Sequence, residues 1–240
     1  MFRTWVQPLL LISAVALLAA ADPPWNAKPA AQWTEEDARQ VLTESAWVKV
    51  VNAGVVRRLT EDELRESGQM GQHHGVGYDG VDPKYDGPKL PADLITGGNA
   101  RSTRSLPRAI TLRLRWESAL PVRVAEFKTR EVGAFTLEGD GYQIAVYGIP
   151  GTGFKGDPQQ LGAPLTKEAM LKRDGKRDVR ASRCEVFQRA DDLVVTYLFP
   201  LSAEIVKSDM RVAFEAHIGR IVVMQSFDLA EMKFLGRLEL

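Results

Sequence analysis

The stretch MRVAFEAHIGRIVVMQSF, Met210 to Phe227, decides the fold class. Val212, Phe214, Ala216 and Ile218 alternate up to Gly219-Arg220, and Ile221, Val223, Gln225 and Phe227 alternate away from it. Period two is the signature of a half-buried strand. A Gly-first, two-residue loop fits a type II′ turn, which sets Ile218 opposite Ile221 and both apolar sets on one face. His217 falls on the other face with Ala213 and Glu215, a solvated position.

Working outward, Leu193–Phe199 and Ser182–Gln188 read as two strands joined through Ala190-Asp191-Asp192, and Ala169–Arg173 as another. Ile110, Leu112, Leu114 and Trp116 alternate with Thr111, Arg113 and Arg115, which predicts a half-buried strand with a basic outer face. A short helix is expected after Pro121, within Leu120–Arg130. Phe135–Leu137 and Tyr142–Ile149 look like a hairpin across Gly139-Asp140-Gly141, and Phe234–Leu240 makes a final strand after Gly236 or across it. Near the N-terminus, Thr34 followed by Glu35, Glu36 and Asp37 is a helix start. Ala38, Val41 and Leu42 then recur at helical spacing, so a helix is predicted over about Glu35–Ser45. The β-branched run in Trp47–Leu59 favours extended structure, and Thr60-Glu61-Asp62-Glu63 is a second capping box. About nine short strands with close turn signals give an α+β, β-dominated class: an antiparallel sheet or β-sandwich with one or two N-terminal helices.

The chain has 240 residues, with 31 Lys+Arg against 31 Asp+Glu, 45% hydrophobic content and one Cys. That size suits one large or two small domains. Zero net charge removes the composition argument for nucleic-acid binding. A single Cys excludes disulfide scaffolds and Cys-based zinc clusters. Residues 1–21 read as a signal peptide: Arg3, an apolar run from Val6 to Ala20, then Ala19-Ala20-Ala21 before Asp22. The run is shorter than the ~20 residues a membrane-spanning helix needs. The expected division is a signal peptide at 1–21, a Pro-rich linker and helical segment at 22–67, a Gly/Pro-rich loop at 68–105 and a β-rich domain at 106–240.

Little of this carries chemistry. Gly75–Gly80 and Gly151–Gly156 spell the dinucleotide-binding pattern, but neither has the strand-and-helix context that gives those glycines a purpose, so no cofactor is expected. His73, His74, Asp79, Asp82 and Asp86 form the one cluster with metal-ligand chemistry: imidazoles and carboxylates suit zinc, and the acids alone suit calcium. The repeated Tyr78-Asp79-Gly80 and Tyr85-Asp86-Gly87 read more simply as turns. Cys184 lies on the face of Val186 and is read as a buried, inert thiol. Between residues 101 and 130, eight basic residues face only Glu117 and Glu126, a local excess of six. That stretch would suit an anionic envelope component, or it is a solvated face matched by acids elsewhere.

Trp33-Thr34-Glu35-Glu36-Asp37, Ser45-Ala46-Trp47, Arg115-Trp116-Glu117-Ser118 and Tyr197-Leu198-Phe199-Pro200 resemble motifs of a group of exported bacterial proteins with a Gly-rich loop and a β-rich C-terminal half. A fainter likeness is to GWxTD-domain proteins, from which the chain departs by Gln32 in place of Gly and two acids after Thr34. The resemblance implies export and brings no activity with it. The expectation is therefore an exported soluble protein, periplasmic or secreted, acting as a non-enzymatic binding or structural module of the envelope. Its partner would be an anionic envelope component or another envelope protein. The alternative is an envelope hydrolase built on a carboxylate or His/Asp metal site.

Overall fold

A computed structural model describes residues 22–56, 109–131, 133–134, 136–151, 158–190 and 192–240. Among the described residues there are four α-helices: α1 (Pro24–Ala27), α2 (Glu35–Glu44), α3 (Leu120–Thr129) and α4 (Gly162–Lys167). The strands are β1 (Val48–Val55), β2 (Ala109–Trp116), β3 (Gly141–Pro150), β4 (Ala169–Lys172), β5 (Val179–Arg180), β6 (Arg183–Arg189), β7 (Asp192–Pro200), β8 (Arg211–Ile218) and β9 (Ile221–Asp228). A small ribbon, β10 (Lys233–Phe234) with β11 (Arg237–Leu238), follows.

Strands β1 to β9 make one antiparallel sheet in the order β5-β4-β8-β9-β1-β2-β3-β7-β6. It curls until its edges meet. The Ala181 amide donates to the Ala169 carbonyl of β4 (3.1 Å), and the Ser182 amide to the Leu198 carbonyl of β7 (2.8 Å), so two residues step from one edge to the other. The inner face holds the core. Tyr197 and Phe214, from strands at opposite ends of the order, sit 5.6 Å apart by ring centroids, and Trp116 meets Phe227 at 5.2 Å. Of the two expected arrangements, the single sheet is the one adopted.

Local chemistry explains the elements. Thr34 Oγ1 accepts from the Asp37 amide (3.1 Å), while Asp37 Oδ2 accepts from the Thr34 amide (2.7 Å), the reciprocal cap that starts α2. Its buried residues are Ala38, Val41 and Leu42. Pro121 sits in the first turn of α3, and Arg130 ends that helix in the left-handed conformation (φ 54°). β8 and β9 pair in full register from Arg211–Asp228 to Ile218–Ile221. Gly219 alone in that turn has positive φ (61°), as type II′ requires.

β1 lies in the middle of the sheet between β9 and β2, and residues of 22–56 belong to the same core as the β-rich stretch. One expected strand is absent. No strand forms at 136–137: Leu137 exchanges hydrogen bonds with the side-chain amide of Gln143 instead (3.1 and 3.0 Å), and β3 pairs with β2 and β7. The final strand, β11, begins after Gly236, and it pairs back on β10 across Leu235-Gly236, both of positive φ. No helix among the described residues is long and apolar enough to cross a membrane.

Candidate functional site

The outer face of β2 was expected to be basic and solvated. It is not. Arg115 is fully buried, because the connection from α3 to β3 folds across it. Arg115 Nε donates to Glu117 Oε1 (2.7 Å), and Nη2 donates to Glu126 and to the Tyr147 hydroxyl (2.7 Å). Tyr147 in turn donates to Glu117 Oε1 (2.5 Å) and accepts from the Ala134 amide (2.9 Å). Glu131 completes the ring of acids, 3.7 Å from Arg115 Nη1. Gly133 closes the network: a Cβ there would overlap Glu126 Oε1 and lie 2.6 Å from Arg115 Nη2.

A bulge places the phenol. Between Val146 and Ile149 the β3–β7 register slips by one residue, with Gly148 at φ 83°. Tyr147 therefore leans against β2, with the guanidinium carbons of Arg113 and Arg115 5.0 and 4.9 Å from its ring centroid. Burial, reinforced by the charge of Glu117, raises the Tyr147 phenol, which stays a proton donor. Burial and Glu117 likewise push Glu126 up to about 7, against the pull of Arg115. Burial alone would depress Arg115, but Glu117, Tyr147 and Glu126 outweigh it and raise it, so its charge is fixed.

Beside this network the sheet is open. A groove of about 470 Å³ runs over β1, β2, β3 and β7. Val50, 66% exposed, gives it apolar surface, Tyr147 forms its inner wall, and Arg113, Arg189 and Asp192 stand on its rim. Among the described residues no carboxylate lies within 4.0 Å of Arg189, whereas Arg113 is 3.8 Å from Glu131.

The structure thus redistributes the basic stretch. Arg115 is internal, Arg113 faces Glu131, and Lys128 donates to the Trp33 carbonyl (3.0 Å). Arg123 and Arg130 remain exposed, and Arg101, Arg104 and Arg108 lie outside the described residues. His73, His74, Asp79, Asp82 and Asp86 also lie outside them, as do residues 1–21. Among the described residues no three His, Cys, Asp or Glu side chains are grouped to hold a metal ion. Cys184 is buried as expected, and burial raises its thiol. His217 is exposed. The Arg115 network itself escaped the sequence reading, although one signal was available: Glu117 and Glu126 are the two acids of the 101–130 stretch, and both close on Arg115. No family model, curated protein or solved structure matches the chain.

Proposed function

We propose that the chain is an exported, non-enzymatic binding module of the cell envelope, and that the β1–β2–β3–β7 groove takes an anionic molecule with an apolar portion. The observation that supports it is the groove's combination of an exposed apolar side chain and a cationic rim, Val50 beside Arg113 and Arg189. Its floor is a paired sheet and its wall is a locked tyrosine, so little ordering entropy opposes binding. The signal-like Met1–Ala21 supports export. Octyl phosphate below its micellar concentration is a fitting probe, with octyl glucoside as the uncharged control. Saturable binding of the phosphate is expected, with at least a tenfold loss for the glucoside and for the Arg113→Ser/Arg189→Ser double variant. Equal binding of the two amphiphiles overturns the reading.

A second reading, an envelope hydrolase, draws on one observation: burial and the neighbouring Glu117 raise Glu126 to about 7, an elevated carboxyl of the kind a general acid needs. Glu126 would then be the general acid, and the Gly133 connection would have to lift to admit substrate. Turnover of ester or glycoside substrates that vanishes in Glu126→Gln supports this reading; a wild-type protein inert on both classes removes it.

A further inference from the structure

Glu131 stands between two arginines and is committed to neither. A single oxygen, Oε1, lies 3.8 Å from Arg113 Nη2 on the groove rim and 3.7 Å from Arg115 Nη1 in the interior. Both are ion-pair separations, and both are too long for a hydrogen bond. Arg115 Nη1 is buried with no hydrogen-bond acceptor among the described residues, whereas Nε and Nη2 are engaged by Glu117, Glu126 and Tyr147. The two guanidinium carbons lie 5.0 and 4.9 Å from the centroid of the Tyr147 ring, so the rim cation and the buried one share an aromatic neighbour as well as a carboxylate.

We propose that Glu131 couples the groove to a proton: it turns to Arg115 when Glu126 is protonated, leaving Arg113 free for an anion, and to Arg113 when Glu126 is ionised. The proposal rests on the groove reading and adds its regulation. Charge sets the direction. With Glu126 protonated, Glu117 alone balances the buried guanidinium, and the unmatched Nη1 draws Glu131 inward, because a buried donor without an acceptor is costly. Arg113 then meets the ligand uncancelled. With Glu126 ionised, two carboxylates already surround Arg115 and repel a third, so Glu131 falls to Arg113 and neutralises it. Burial and then Glu117 push Glu126 up to about 7, which puts the exchange near neutral pH. The groups facing these carboxyls are Arg113 and Arg115 of β2, Glu117 after it, and Tyr147 of β3, which keeps its proton. On α3 itself Lys128 is turned to the Trp33 carbonyl, and Arg123 and Arg130 are exposed. α2, packed on α3, has Glu35 and Glu36 on Arg39, Asp37 on Lys28 and Glu44 beside Gln40. Coupling is reciprocal, so an anion on Arg113 also tightens the hold of Glu126 on its proton.

The test is calorimetric titration of the full chain with octyl sulfate, below its micellar concentration, at pH 5.5 and pH 8.5. The charge of this probe is constant across that range, unlike that of a phosphate. Expected are binding at least about fivefold tighter at pH 5.5 and proton uptake on binding at pH 7. Glu131→Gln and Glu126→Gln should each bind at pH 8.5 as tightly as the wild type does at pH 5.5. His217→Gln, a surface change on β8, should keep the wild-type dependence. Equal wild-type affinity at the two pH values, or an undiminished dependence in either the Glu131 or the Glu126 variant, overturns the coupling and leaves the groove in place. Absence of binding at both pH values removes the groove reading, and the coupling falls with it.

Discussion

At the scale of single residues, Arg115 governs the outer face. Its strand alternation assigns it to water, yet it is fully buried and gathers Glu117, Glu126 and Tyr147. Burying a charge is tolerable only with partners in place, and here they come from the turn after β2, from α3 and from β3. Glu126 pays for that placement in pH dependence. Its carboxyl is raised from 4.5 to about 7, so between those values the unfolded chain releases a proton that the folded chain keeps. Stability from this group is therefore full below pH 4.5, declines as pH rises to 7 and is level above it, a loss of no more than roughly 3 kcal/mol. Urea unfolding at pH 5 and pH 7.5 should show the decline in the wild type and a flatter response in Glu126→Gln; parallel responses in the two proteins would refute it. Gly133→Ala drives a methyl into the Glu126 carboxyl and should cost about 1–3 kcal/mol at either pH.

At the scale of elements, the hairpin β8–β9 shows what a sequence can announce. A strand with one face in a core must alternate, and a tight hairpin must place positive φ at a defined position. Both facts are written locally, so Ile218 opposite Ile221 follows from Met210–Phe227 alone. Gly219→Ala and Gly219→Val should therefore each cost on the order of 1–3 kcal/mol in thermal unfolding, because the first central position of a type II′ turn lies where glycine alone enters freely. The α2 cap was equally legible, since Thr34 and Asp37 satisfy each other across three residues. The covering of Arg115 was not. It depends on residues 131–137, a segment with no period, held by a Gln143 side chain and a Tyr147 hydroxyl rather than by a ladder. The apparent hairpin across Gly139–Gly141 failed for the same reason: alternation marks a strand but does not name its partner, and β2 and β7 occupy both edges of β3. The groove was out of reach too, because it joins Val50, Arg113 and Arg189 from three distant strands.

At the scale of the whole molecule, closure of the sheet determines how it comes apart. β6 is an edge strand by order, yet it is paired to β7 at seven positions from Arg183 to Arg189, bridged to β5 and overlaid by α4. An edge sealed in this way opens with the rest of the core rather than fraying alone. Cys184 sits in that strand, buried beneath the packing and with its thiol raised, so it reacts only in an opened state. Labelling by a disulfide reagent under native conditions should thus give an opening free energy equal to the global value from urea unfolding, and the two should fall together with denaturant. Gly162→Ala separates the alternatives, because the added methyl would overlap the Cys184 carbonyl and lift α4 from β6. That variant should label Cys184 faster in the absence of denaturant than its loss of global stability accounts for. If the wild type already labels orders of magnitude faster than global unfolding permits, β6 is a loose edge, and the sheet is curled without being sealed.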